Sequence, residues 1–332
     1  MDKDKRSITL DIMRGLSAVL IVLYHFTYHY NESAAVSDEL KFEIPWGVWW
    51  GYATVSVFFM LSGYLAGKYL LNTGSSPRRY LWHKARRLYP TYWVAMTLTS
   101  IVLAVLYEEM SPGWLGWLAN LTMVSRLFGV PFVDGVYWTM QCELIFCIII
   151  ALLIYVKHRR TLITILTIWV GVAIILSLVN GVKVVKPFKI ALIVDHCHDF
   201  VAGIALYMLG RKGLGQKTRL ALYTLLAMCV CNAVAWYGLS PRSVLTVISI
   251  MLIALSSRLD NVIPDNNPIV RALVWIATIS YPLYLVHEMI GFTIMRHIST
   301  SGSTSTLLIT IPIAIVLIVA CLIHRYVETR RN

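Results

Sequence analysis

The sequence predicts an all-α integral membrane protein of about ten transmembrane helices with both termini cytoplasmic, and three observations carry that expectation. Of the 332 residues, 58% are hydrophobic and only 14% charged, a balance that excludes an ordinary soluble domain. Apolar runs long enough to cross a bilayer recur from end to end, each near the ~20 residues that a membrane helix needs. The net charge of +12 falls in short basic clusters between those runs. Cytoplasmic loops are charged in that way and nucleic-acid faces are not, so membrane lipids are expected as partners and nucleic acid is not.

The first span is expected over residues 8 to 28 and contains LDIMRGLSAVLIVLYHF, residues 10 to 26. The basic MDKDKR before it and Ala34-Ala35 after it imitate a signal peptide. The apolar stretch is too long for that reading and carries Asp11 and Arg14, so it is expected to stay in place. Arg14 and His25 are eleven positions apart, which on a helix puts them on one face and roughly 16 Å apart. Ionisable groups inside a span are costly and point to function. The plainer alternative is an Arg14 that anchors the helix end and a His25 satisfied in the core. Asp11, one turn before Arg14, is expected to orient its guanidinium.

A second span over 46 to 70 holds SVFFMLSGYL, where Ser62-Gly63 sets a hydroxyl and a close helix approach in an aromatic wall. A cytoplasmic loop, PRRYLWHKARRLYPTYW, then runs into a third span over 88 to 107. A positive-inside stop signal accounts for its charges. Arg86 and Arg87 are in addition expected against a helix start, where arginine forks and unsatisfied N–H groups favour a phosphorylated ligand. Residues 111 to 136 are aromatic but broken by Pro112, Gly113, Gly129 and Pro131. Counting them as a span would put KHRR, residues 157 to 160, outside, so they are expected to lie on the outer face.

The fourth span, 137 to 156, places Glu143 roughly 8 Å inside the boundary marked by Trp138. A carboxylate there needs a partner or a proton. His25, also in the outer half, is the expected one, as an acid–imidazole pair for general base catalysis; the alternative is a hydrogen bond that only pins helices. A fifth span is expected over 161 to 179, and a sixth, over 189 to 210, opens with DHCHDF. His196 and His198 are two apart, whereas helical metal pairs use i and i+4, so a wet cavity wall is the preferred reading. FVAGIALY then packs through Gly203. Spans follow over 220 to 238, 243 to 257, 272 to 295 and 306 to 324; the ninth carries Pro282, a kink, and His287, able to line the same pocket as His25. The six cysteines show neither CxxC pairs nor zinc spacing and read as core residues, with no metal expected. On this topology seven Lys and Arg fall outside and the other 22 of 29 inside. No repeat is visible, so residues 1 to 332 read as a single membrane domain.

These motifs resemble the membrane-bound acyltransferase family 3. The resemblance rests on LDIMRG with Arg14 and His25 as an R-x10-H signature, SVFFMLSGYL, RRLYPTYW, WTMQCELIF, FVAGIALY and SYPLYLVH, in family order along the whole chain. It implies a standalone O-acyltransferase domain of the bacterial inner membrane. Such a domain moves an acyl group, usually acetyl, from cytoplasmic acetyl-CoA or another acyl-CoA to a hydroxyl of an exported or lipid-linked glycan. Catalysis is then expected from His25, Glu143 and Arg14, and donor binding from Arg14, Arg86, Arg87, Lys84 and Tyr89. Acceptor contacts are expected from Ser62, Tyr64, Trp138, His287 and Tyr92. His83-Lys84 stands where an arginine pair is usual, which leaves Arg87 the surer phosphate contact. No C-terminal esterase domain is expected, so the membrane domain acts alone or with a separate partner. The rival class is a proton-coupled transporter, since intramembrane Arg, Glu and His also mark proton pathways; against it, no inverted repeat or paired broken helices are visible.

Overall fold

The computed structural model describes residues 7–32, 47–72, 74–179, 186–299 and 305–329. Among them ten helical stretches are long and apolar enough to cross a membrane: Ile8–Glu32, Gly51–Leu71, Pro77–Leu106, Gly135–Leu153, Arg159–Leu178, Pro187–Leu209, Gln216–Tyr237, Pro241–Leu259, Pro268–Ile298 and Leu308–Glu328. Each matches one expected span, and the described residues hold helices, turns and no strand. The protein is a multi-pass, all-α membrane protein. The helices are α1 (Ile8–Tyr24), α2 (Tyr30–Glu32), α3 (Val55–Leu71), α4 (Pro77–Leu106), α5 (Gly113–Asn120), α6 (Trp138–Leu153) and α7 (Arg159–Leu178). They continue with α8 (Lys186–Leu192), α9 (Cys197–Leu209), α10 (Gln216–Tyr237), α11 (Pro241–Leu259), α12 (Pro268–Ser299) and α13 (Ser305–Ile323).

The stretch read as a cytoplasmic loop before the third span is helical. Pro77 occupies the first turn of α4, where its missing N–H has no intrahelical role. The basic segment then continues the same helix, with Tyr80 and Leu88 buried while Arg78, Arg79, Arg86 and Arg87 are exposed. Dense charge hides this helix from a hydropathy reading, because only one narrow stripe of it is apolar. Arg86 and Arg87 therefore lie inside α4 and not at its start, and the helix N-terminus offers them no help with an anion. Residues 111–136 form α5 and short 3-10 turns, too short to span. Asn120 holds this segment by donating to the carbonyls of Gly116 (2.9 Å) and Pro131 (3.0 Å).

The chain divides into two compact units of interleaved segments. The first comprises the N-terminus to Arg14, Ala53–Lys84 and Cys142–Arg271. Its centre is α9, which packs on α3, α7, α10 and α11. The α3–α9 contact is glycine-dependent: a Cβ on Gly63 would lie 2.0 Å from the Phe200 carbonyl oxygen, and one on Gly203 would lie 2.0 Å from that of Met60. Both glycines permit backbone-to-backbone approach, as the small-residue motifs predict. Thr9 ties the start of α1 to the end of α11, its N–H and hydroxyl each donating at 2.7 Å to Asp260 Oδ1.

The second unit comprises Gly15–Tyr52, Ala85–Gln141 and Ala272 onward. Here α1 meets α12 closely, with the Gly15 Cβ position 2.0 Å from the Leu273 carbonyl oxygen and the Gly291 position 2.3 Å from the Phe26 ring. After Tyr24 the first helix widens into a π turn over His25–His29. Thr27 marks the widening: its hydroxyl donates to the Leu23 carbonyl at 2.6 Å and accepts the Val48 N–H at 3.0 Å. Back-bonding of this kind diverts a carbonyl and bends the helix.

Candidate functional site

The π turn directs two imidazoles at one carboxylate. His25 Nδ1 and His29 Nε2 each lie 3.4 Å from Oε1 of Glu288 on α12, with Glu288 and His25 buried and His29 partly open. His25 Nδ1 makes no hydrogen bond among the described residues; the Glu288 oxygen it faces is farther off than a good hydrogen bond allows. The other carboxylate oxygen is fixed: Glu288 Oε2 accepts the Val136 N–H at 2.8 Å. It can approach because residue 135 is glycine, whose added Cβ would stand 2.6 Å from Oε2. His287 stacks edge-on to His25 with ring centroids 4.8 Å apart. Its Nδ1 sits 2.8 Å from the Tyr284 carbonyl and so carries the proton, which leaves Nε2 as a buried lone pair without a hydrogen-bond partner among the described residues.

Asp134 backs this group. Its Oδ1 accepts the Val136 N–H at 3.1 Å and its Oδ2 the Met289 N–H at 3.0 Å. Burial, and after it the neighbouring Glu288 charge, hold the Asp134 carboxyl well above the usual carboxylate range. Of the two carboxyl groups, Glu288 is the one that faces the imidazoles.

Glu143 is placed in the first unit with different partners. Its Oε1 accepts Ser62 Oγ at 2.7 Å and Lys84 Nζ at 2.8 Å, and Cys147 Sγ lies 3.9 Å away. The carboxylate that faces His25 is thus Glu288, where the sequence reading put Glu143. The same ion pair occupies Lys84, expected to meet phosphate; its side chain is only 15% exposed. Arg14 has Asp11 at 3.5 Å, as the one-turn spacing predicts. Tyr64 packs against Tyr207, Tyr89 donates to the Thr122 carbonyl at 3.3 Å, and the buried Tyr92 donates to that of Asn120 at 2.9 Å. Both tyrosines of α4 therefore anchor the 111–136 segment. Trp138 is half-buried at the start of α6. His196 and His198 find Tyr237 (2.9 Å) and Asn232 (3.0 Å) in place of a shared ligand.

Sequence reasoning missed Glu288, His29 and Asp134. The first two were within reach of the arguments applied elsewhere: Glu288 is an acidic residue deep in an apolar span, and His29 stands at i+4 from His25. For Asp134, in a broken loop, the sequence holds no such signal.

Buried imidazoles facing a carboxylate inside an all-helical membrane domain suit an enzyme and a transporter alike. Comparison with known proteins decides between the classes. The model of the acyltransferase family 3, described as an acyltransferase domain, matches residues 7–326, nearly the whole chain. The chain belongs to this membrane acyltransferase family. No curated protein and no solved structure gives a significant match.

Proposed function

We propose that the chain is an O-acyltransferase that moves an acyl group, acetyl first among them, from cytoplasmic acyl-CoA to a hydroxyl of an exported or cell-surface glycan at the bacterial inner membrane. One observation carries the site assignment: His25 faces the buried Glu288 carboxylate at 3.4 Å in a chain of an acyltransferase family. In this reading His25 keeps its Nδ1 proton toward Glu288, and the contact tightens when substrate is bound. Nε2 then takes the proton of the acceptor hydroxyl as its oxygen attacks the thioester carbonyl. The C–S bond breaks, the CoA sulfur leaves as thiolate, and the imidazolium returns the proton to it. Glu288 stabilises the imidazolium, and a general base of this kind contributes ~10²- to 10⁴-fold.

Arg86 and Arg87, exposed on α4, are proposed for the CoA phosphates, with Arg14 as a further donor contact; forked guanidinium groups suit phosphate better than an ammonium already paired. Trp138 and His287 are proposed to meet the acceptor. Ser62, Lys84 and Glu143 are positioning residues. The test is acyl transfer from labelled acetyl-CoA by the purified chain in lipid, together with mass spectrometry of surface glycans from cells with and without the gene. Loss of one acyl mark on deletion, restored by the wild-type gene and not by His25→Ala, supports the proposal. Unchanged glycans together with no transfer in lipid overturn it.

A further inference from the structure

We propose that His25, His29 and Glu288 also form a zinc-binding site, and that zinc bound there switches the enzyme off; the switching half rests on the acyltransfer reading above. The ligand atoms of these three residues all lie within 4.8 Å of one another. Both imidazole nitrogens stand 3.4 Å from Glu288 Oε1. That distance is long for a charge-assisted hydrogen bond, which closes to about 2.7–2.9 Å. For the two His–Glu edges it is the distance between neighbouring ligands on a tetrahedral zinc, since bonds of about 2.0–2.1 Å at the tetrahedral angle separate ligand atoms by about 3.3–3.4 Å; the edge between the imidazoles lies within 4.8 Å and closes to that length on binding. An octahedral ion with bonds of the same length would draw them to about 2.9 Å. Two imidazoles and one carboxylate are borderline ligands that suit zinc, and they leave its fourth position open.

The surroundings supply what a metal site requires beyond its ligands. Two of the three ligands are oriented from behind: Glu288 by the Val136 N–H on its other oxygen (2.8 Å), and His29 by the Tyr24 hydroxyl, 3.5 Å from Nδ1, the nitrogen that would not bind metal. His25 Nδ1 is buried, and no hydrogen bond among the described residues competes for it. His29, with its side chain 37% exposed, gives an ion a way in. Residues 25 and 29 both lie in the π turn, and such turns concentrate at functional sites.

The switch follows from the tautomer. Zinc takes the lone pair of Nδ1, so the remaining proton of a neutral His25 sits on Nε2. Nε2 is the atom that must accept the hydroxyl proton during transfer. A loaded site therefore has no base, and Glu288 is spent on the metal.

The experiment is calorimetric titration of zinc chloride into the purified, EDTA-stripped chain in nanodiscs, with acyl transfer read in parallel. Expected are one zinc per chain, no binding of magnesium or calcium, and affinity weakened at least about tenfold in both His29→Gln and Glu288→Gln. Wild-type transfer should stop on zinc and return on EDTA. The His29→Gln rate, read against its own metal-free rate, should need at least about ten times more zinc to fall. No stoichiometric binding by wild type up to about 0.1 mM zinc overturns the site, as does binding undiminished in both variants. Transfer that survives saturating zinc, or that requires it, overturns the switch. A chain that binds zinc through these residues yet never transfers an acyl group removes the proposed function and leaves the site standing.

Discussion

Each unit holds a buried carboxylate beside basic groups, Glu143 in the first and Glu288 in the second, and the two are held in opposite ways. Glu143 is held tightly: a hydroxyl and an ammonium close on a single oxygen at 2.7 and 2.8 Å. Glu288 has one oxygen pinned by a backbone N–H, while the other faces two imidazoles at 3.4 Å. Short bonds fix a structure, whereas longer contacts to groups that can exchange protons leave chemistry to do. The difference teaches that an acidic residue inside a span is identified by its partners and not by its depth. In the proposed reading the same cost of burial makes Glu143 a clasp and Glu288 a working group.

The comparison is broken most sharply at His25. Replacement by alanine is expected to lower acyl transfer about 10²- to 10⁴-fold with normal membrane insertion; wild-type turnover by folded His25→Ala would make Glu288 a clasp as well. Glu288→Gln should cost about 10²-fold in kcat with little effect on the apparent KM for acyl-CoA, because a neutral amide cannot stabilise the imidazolium. Glu143→Gln should act on stability, leaving Lys84 buried without its counter-charge at a cost of about 3 kcal/mol. Pairing Lys84→Met with Glu143→Leu should recover much of that loss in thermal unfolding. Should Glu143→Gln instead keep the wild-type melting point and lose turnover, the roles of the two carboxylates are reversed. Two glycines sharpen the contrast further. Gly63→Ala drives a Cβ into backbone and should destabilise by about 1–3 kcal/mol. Gly135→Ala meets only the tip of Glu288, so its turnover should fall about tenfold at nearly constant stability. The smallest effect expected is in donor binding: Arg87→Ala should raise the KM for acyl-CoA by about 10-fold, the loss of ~1.5 kcal/mol for a hydrogen bond to a charged group. Equal KM values for Arg87→Ala and wild type would remove the phosphate contact.

Much of the fold was legible in the sequence because apolar length and period are local properties. Ten spans, the exclusion of 111–136, the Asp11–Arg14 pair and the glycine contacts at Gly63 and Gly203 all follow from residues within a few turns of one another. The start of α4 was not legible, since a helix whose basic faces outnumber its apolar stripe looks like a loop to a hydropathy window. Of the site, the chain announced its expensive residues, His25, Glu143 and His287, but not their pairing. Depth and helix direction allowed His25 and Glu143 to meet; only packing shows that Glu143 is already taken by Ser62 and Lys84. Glu288 was overshadowed by its neighbour His287, and His29 by its place just past the expected end of the first span.

The π turn over His25–His29 has a consequence for heredity. A turn of this kind carries one residue more than the helix around it, so loss of a single codon, that of the exposed Tyr28 for instance, lets it relax to an ordinary α turn while the segments before and after keep their register. Most deletions inside a membrane helix rotate everything downstream and are lethal to the fold. Here the chain holds a spare residue at the point where its two imidazoles are set against Glu288. Drift by one codon can therefore shift the histidines relative to each other and to Glu288 without unfolding the protein, and selection on the site must guard a length as well as a set of letters.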